Sequence, residues 1–512
     1  MAMEIRHDGK RIARNTLMLY IRMFLLMLVG LYTSRVVLEA LGENDYGIYN
    51  VVGGVVAMFT IVSGALNSAV SRFITFEMGK GASAQLRKVY STAVTIQLFL
   101  ALVVVIFAEP LGLWFIDNKM TIDPSRIPAA RSVLHFSLMA FVINLMSVPQ
   151  MASITAHEKM SAYAFIGILD GFLRLAVAVI IMHSSADRLV LYAALMAVAV
   201  LIVRIAYGIY CHRHFKECRF SPVFDMKLIR EMFTFAGWNF IGVTAGVLRD
   251  HGGNILVNLF SGPAINAARG VAVQLNGTVQ GFVTNFMTAV NPQITKSYAS
   301  GDMDYMMSLV RKSSRMSFYL LFVIALPILF NTEYLLSIWL HDVPERTVDF
   351  VRLFLVFALS ESLSNPLITA AQATGNIRRY QSVVGGLILL NLPVSYIFLK
   401  AGAAPEVTVA VAIIISQVCF AARLFMLRGM IGLDSWAFFR RVWFNVLLVS
   451  VIALPLPHVF GLVTPDGFWG FVLSSSICVL SAGLSVFFIG CSSEERIQLI
   501  GFVKKRFEGC SK

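Results

Sequence analysis

A chain of 512 residues that is 57% hydrophobic and only 14% charged, with a mean hydropathy of +0.75, is not a soluble globular protein, which would carry about 25% charged residues. The formal net charge of +13 does not mark a nucleic-acid binder. Lys and Arg sit in short loops between apolar runs, the pattern of cytoplasm-facing membrane loops. Cys211, Cys218, Cys419, Cys478, Cys491 and Cys510 fall in expected helices or on the basic side, so no disulfide framework is implied.

The N-terminus, MAMEIRHDGKRIARN, is polar and basic, and the apolar run after it (15–38) is long enough to span, so it is not read as a cleavable signal. Further runs follow near 47–69, 88–108, 129–152, 162–183 and 189–211, then near 233–260, 264–290, 313–333, 348–370, 381–400 and 407–427, and finally near 442–462 and 468–489. The expected fold is an all-α integral membrane protein of about 14 transmembrane helices. Basic residues gather on the side of the termini, which places both termini in the cytoplasm. The expected organisation is an N-terminal six-helix bundle (1–211), a cytoplasmic linker (212–232), a second six-helix bundle (233–428), and two extra helices with a basic cytoplasmic tail (429–512). In the linker, Pro222 opens a stretch whose MKLIREMF has the spacing of an amphipathic helix on the membrane surface.

The two halves share a pattern at an offset of about 220 residues. Gly42 answers to Gly262, Val51 to Val271, Ile74 to Ile294, Thr75 to Thr295 and Gly81 to Gly301. Thr155 and Lys159 stand opposite Thr374 and Arg378 in the same way. The seventh run is unusual. From Phe233 to Phe260 a straight helix would be about 42 Å long, more than a hydrocarbon core of about 30 Å. It contains Arg249, Asp250 and His251 followed by Gly252 and Gly253, where unwinding or bending is expected.

The opening NTLMLYIRMFLLMLVGLYTSRVVLEALGENDYGIYNVV, the phrase VNPQITKSYASGD, and the two six-span halves resemble the Wzx-type polysaccharide flippases of the multidrug/oligosaccharidyl-lipid/polysaccharide (MOP) exporter superfamily. The resemblance implies a MATE-like, V-shaped pair of bundles that alternates between inward-open and outward-open states. It implies that the chain carries an undecaprenyl-diphosphate-linked oligosaccharide from the cytoplasmic to the periplasmic leaflet of a bacterial inner membrane, for O-antigen, capsule or exopolysaccharide assembly. As partners it implies the polyprenyl-linked glycan, anionic lipids and the glycan polymerase machinery. No cofactor or metal is expected, and the cluster Cys211, His212, His214 and Cys218 lacks a standard zinc spacing.

An ionisable side chain inside the bilayer needs a partner or water. Arg22, about two turns into the first span, and Arg249 and Arg269, within the seventh and eighth, are the candidate substrate-binding cations. A diphosphate suits guanidinium, which binds phosphate oxygens bidentately. The related lipid II flippases line their cavity with arginines from the first and eighth spans, which supports Arg22 and Arg269 by analogy. The alternative for Arg249 is plain pairing with Asp250. Asp170 and Arg174 stand at i,i+4 and fit a structural ion pair or a coupling site. Glu361 is a lone carboxylate deep in the tenth span, either a proton or cation site or a hydrogen-bonded buried acid. Arg423 lies near the inner interface and is expected to snorkel. Two rivals remain open: a cation-coupled drug or metabolite antiporter of the same superfamily, and a membrane glycan polymerase or ligase. The polymerase would be expected to show a large outer loop with catalytic Arg or His, and the outer loops here are short.

Overall fold

The computed structural model of the chain describes residues 2–81, 83–120, 122–219, 221, 225–340, 342–461 and 467–497. Among them every regular element is helical. The first half contains α1 (Ala2–Ala57), α2 (Thr60–Gly79), α3 (Ser83–Asn118), α4 (Ile127–Ala156), α5 (Met160–Met182) and α6 (Arg188–His214). A 74-residue helix, α7 (Met226–Ala299), follows. Then come α8 (Met303–Phe330), the short α9 (Thr332–Trp339), α10 (Thr347–Ser362) and α11 (Asn365–Ala373). The chain continues through α12 (Arg378–Leu389), α13 (Asn391–Lys400) and α14 (Val407–Ile431) to α15 (Ser435–Phe438), α16 (Phe444–Ala453), α17 (Pro455–Gly461) and α18 (Phe468–Ser485).

Helices are the only open-ended structure that satisfies its own backbone in lipid. Mid-helix hydroxyls turn inward on the same principle. Ser147 donates to the Ile143 carbonyl at 3.1 Å, and Ser313 to that of Leu309 at 2.7 Å. Large apolar side chains face outward, as Phe425 and Trp469 do at 77% exposure, which suits a lipid surface and would be costly in water. Eleven helices among the described residues are long and apolar enough to cross a membrane, or twelve if the bent pair 44–56 and 60–79 is one span. The sequence reading counted about fourteen. The difference lies in α7, whose two arms carry too much polarity to qualify on hydropathy.

Two glycines break the longest helices. Gly42 in α1 has φ 74 and ψ 170, and Gly262 in α7 has φ 81 and ψ 175. That region is essentially reserved for glycine, because a Cβ collides with the backbone there. The expected unwinding at Gly252 and Gly253 is not found: both residues are helical, and the length is relieved at Gly262 instead. MKLIREMF is likewise not a separate surface helix. It forms the first turns of α7, capped by Asp225, whose carboxylate accepts from the amides of Lys227 and Leu228 at 3.1 Å. Pro222 and the basic tail from 498 onward lie outside the described residues.

The chain forms two compact units whose boundary falls inside α7 and not in the 212–232 connection. Unit 1 holds residues 1–244, 288–302 and 375–378; unit 2 holds 245–287, 303–374 and 379–512. In unit 1, α1 packs on α5, and α4 packs on α2, α3 and α6. Its core runs through Ala69, Val89, Ala130, Leu134, Ile154 and Ile181, and Ile377 joins it. An ion pair ties its loops: Arg126 donates to Asp187 at 2.7 Å and also binds Asp45. In unit 2, α8 packs on α10 and α18, and α10 packs on α14. Arg346 pairs there with Glu406 at 3.0 Å. The segment that follows α18 is bolted to α8: Arg315 donates to Glu495 at 2.8 Å and to the Gly490 carbonyl at 3.1 Å.

Candidate substrate pocket

The pocket of unit 2 is built where α7, α10, α13 and α14 meet. Its wall includes Arg249, Asp250, Gly253, Arg269, Asn391 and Thr408, and it encloses about 330 Å³ of free space, solvent at its mouth included.

Arg249 and Arg269 both reach this pocket from α7, one on each side of the Gly262 kink. Arg249 Nε donates to Asp250 Oδ1 at 2.8 Å, and its guanidinium lies 4.8 Å from the centre of the Phe357 ring. Arg269 is only 4% exposed. It donates to the Asp250 carbonyl at 3.2 Å and to the Asn254 side-chain oxygen, and it lies 5.4 Å from the Phe354 ring. Both acceptors are neutral, and the Asp250 carboxylate is engaged with Arg249. Among the described residues, Arg269 therefore holds a buried positive charge with no carboxylate bound to it. Its Nε finds no hydrogen-bond acceptor among their atoms. The side chain can lie there because residue 253 has no Cβ, which would stand 3.0 Å from the guanidinium carbon. Gly252 similarly lets α7 approach Leu392, whose Cδ1 would be 2.9 Å from a Cβ.

The family described as polysaccharide biosynthesis protein matches residues 12–298, more than half of the chain. The chain belongs to this family. The MatE family matches residues 253–397, which include the pocket arginine Arg269 and Asn391. Together with the solved structures of similar fold, these place the transporter on the Wzx-type branch of the MOP superfamily. A point mutant of a MATE protein aligns with a TM-score of 0.73 at 12% identity, covering 83% of this chain and 97% of that one. An outward-facing multidrug resistance MATE transporter of the MOP superfamily aligns with a TM-score of 0.71 at 12% identity, over 83% and 96%. A MOP-superfamily transporter from Pyrococcus furiosus aligns with a TM-score of 0.69, again at 12% identity and over 83% and 96%. At such identities the likeness concerns the fold alone. No curated protein sequence matches the chain.

The remaining sequence candidates of the transporter fall elsewhere. Arg22 belongs to unit 1 and does not line the pocket. It is half-buried, lies flush against Gly167, and faces the Tyr163 ring at 4.6 Å, with Nε lacking an acceptor among the described residues. Asp170 and Arg174 pair on α5, Nε standing 3.1 Å from both carboxylate oxygens, and at 30% and 45% exposure neither is deeply enclosed. Glu361 accepts from Ser416 at 2.8 Å, and Ser416 in turn meets Ser360 at 2.8 Å. Arg423 does not snorkel. It is 2% exposed and donates to Tyr380 at 3.2 Å and to Ser364 at 2.9 Å, because those hydroxyls offer it a polar seat inside unit 2. The sequence reading did not single out Asn254 or Asn391. The spacing of Asn254, one turn after Asp250, and the position of Asn391 just before Pro393 in an apolar run were the available signals.

Proposed function

We propose that the transporter flips an undecaprenyl-diphosphate-linked oligosaccharide from the cytoplasmic to the periplasmic leaflet of a bacterial inner membrane by alternating access. The observation that carries this reading is Arg269: a guanidinium that is buried, seated on neutral acceptors and next to a second arginine is suited to an anion. Arg249 supplies the adjacent cation, and Arg22 supplies another in unit 1. The arms of α7 on either side of Gly262 act as spans seven and eight. Their polarity is tolerable because they line a site, and with them the count reaches fourteen. The matched kinks at Gly42 and Gly262, and the paired ion bridges Arg126–Asp187 and Arg346–Glu406, support a duplicated architecture.

Outward movement of a diphosphate is favoured by an inside-negative potential, at about 2.3 kcal/mol per charge per 100 mV, less any countercharge carried by the protein. This drive needs no nucleotide, and the reading is of a transporter and not of a polymerase or ligase. The polar chain Gln417–Ser360–Ser416–Glu361 favours a second reading, a cation-coupled antiporter, in which Glu361 takes up the coupling ion.

The test is accumulation of lipid-linked oligosaccharide on the cytoplasmic leaflet in cells with matched levels of each variant. Arg269→Gln should slow flipping by about tenfold or more, and Arg269→Glu should abolish it. Normal flipping by Arg269→Glu, with loss of transport in Glu361→Gln, would transfer the case to the antiporter.

A further inference from the structure

A diphosphate offers only acceptors once ionised, yet the pocket wall also presents an acceptor with nothing to accept. Asn391 is 4% exposed, and its Oδ1 has no hydrogen-bond donor among the described residues. Its orientation is fixed from the other end. Pro393 has no N–H, so the carbonyl of Leu389 loses its helical donor and the span breaks between α12 and α13. Asn391 Nδ2 caps this break by donating to the Ile388 carbonyl at 3.1 Å. Rotating the amide would set two oxygens against each other, so Oδ1 is the end left over. Half of the side chain thus has a structural task and half has none. A polar atom in this state inside a membrane span is costly and marks a site. Ser395, one turn on and 3% exposed, and Thr408, 5% exposed, add hydroxyls to the same wall.

We infer that Asn391 is a specificity residue that recognises the first sugar. Its Oδ1 accepts a hydrogen bond from a hydroxyl or amide N–H on the sugar ring joined to the diphosphate, while Arg249 and Arg269 hold the phosphates. The inference rests on the diphosphate reading of the pocket and adds to it a preference for glycosylated over bare carrier lipid. Such a preference is useful, because sugar-free polyprenyl diphosphate shares the tail and carries at least as much negative charge, so only the hydrogen-bond donors of the sugar favour the glycosylated lipid.

The test measures binding to the purified full-length transporter in nanodiscs with two probes of equal charge: polyprenyl diphosphate bearing one hexose, and the same lipid with a methyl ester in place of the sugar. The wild type should bind the glycosylated probe about fivefold more tightly, the worth of one neutral hydrogen bond. Asn391→Leu should erase that ratio, even where loss of the donor to Ile388 lowers both affinities. Asn391→Asp keeps an acceptor oxygen but loses the donor to Ile388, so it should retain the ratio even where both affinities fall. A merely structural role predicts that Asp and Leu behave alike. Arg269→Gln should weaken both probes by about tenfold, leaving the ratio unchanged. Equal wild-type binding of the two probes overturns the inference whatever the variants do, as does an unchanged ratio in Asn391→Leu. If neither probe binds the wild type, the diphosphate reading falls with it; if both bind equally and Arg269→Gln weakens them, only the role of Asn391 is lost.

Discussion

Lys296 Nζ lies 2.7 Å from Glu158 Oε1, joining the last turn of α7 to the turn between α4 and α5 within unit 1. Glu158 sits in left-handed backbone with φ 57, and its side chain is only 1% exposed. Arg11 approaches its other oxygen at 2.8 Å, and Gln293 donates to that same oxygen at 3.1 Å. The backbone oxygen of Glu158 is used as well, accepting from Asn15 at 3.2 Å. One carboxylate thus gathers the N-terminal helix, the α4–α5 turn and a segment that follows the Gly262 kink by more than thirty residues.

The burial of the partners is unequal, and that sets the first prediction. Arg11 and Lys296 are 43% and 25% exposed, so they can turn to water when the carboxylate is removed. Glu158→Gln should cost about 1–2 kcal/mol. Stripping both cations with Arg11→Met and Lys296→Met leaves an enclosed charge and should cost about 3–5 kcal/mol. Thermal unfolding of the purified chain in detergent would check the order. A Glu158→Gln loss larger than that of the double variant would show that the pairs are not what holds these segments.

A second prediction concerns the kinks. A Cβ at Gly42 or Gly262 would meet no atom within 4 Å, so substitution there tests backbone strain and nothing else. Gly42→Ala and Gly262→Ala should each destabilise by about 1–3 kcal/mol. Gly53 and Gly277 are helical with equally open space, and Ala there should be neutral or stabilise by about 0.5–1 kcal/mol. Equal melting temperatures across the four variants would refute the strain account.

Gly42 and Gly262 were legible in the sequence as a matched pair, but the bend of the seventh run was expected at Gly252 and Gly253 and falls at Gly262. Arg249 and Arg269 were legible as candidates, since an arginine inside a long apolar run stands out whatever it touches. Pairing was not legible. Arg423 looked like an interfacial residue until Tyr380 and Ser364 were brought to it from other helices. Glu158 carries no sequence signal of its role, because its partners Arg11 and Lys296 lie more than a hundred residues away on each side. The ion bridge of Arg346 with Glu406 was not legible either, because the two stand on separate segments that only the fold brings together. Asn391 was passed over because one amide barely alters the hydropathy of an apolar run, although Pro393 two residues on marked the break it caps.

The acidic limb of the stability profile supplies a third prediction, from a pair outside the spans. Burial alone would raise the Glu217 carboxyl, but the hydrogen bond from His157 at 2.5 Å outweighs it and holds the carboxyl below its ordinary value of 4.5. His157 is itself stacked on Phe215 at 4.0 Å, which fixes its ring. A carboxyl held low when folded contributes stability that is complete above its unfolded value and is lost as pH falls through the folded one. The melting temperature should therefore drop as pH is lowered below about 4.5. Glu217→Gln should be less stable than wild type at neutral pH and show a shallower drop. Parallel profiles for the two proteins would remove Glu217 from the account.

The last prediction separates the position of Arg269 from its charge. A Cβ at residue 253 would stand 3.0 Å from the Arg269 guanidinium carbon and closer still to one terminal nitrogen, so Gly253→Ala should push the guanidinium off its seat without changing any charge. Replacing a helical glycine by alanine otherwise stabilises by about 0.5–1 kcal/mol, and this gain offsets part of the clash. The variant should therefore melt close to wild type while flipping about tenfold more slowly, since a displaced guanidinium loses its geometry for bidentate binding. Gly246→Ala is the matched control on the same helix, because a Cβ there meets nothing within 4 Å and should leave both properties unchanged. Melting temperature and leaflet accumulation of the lipid-linked glycan, measured on the same preparations, would decide. Wild-type flipping by Gly253→Ala would mean that transport does not depend on where Arg269 lies, and the pocket would lose its claim to the head group.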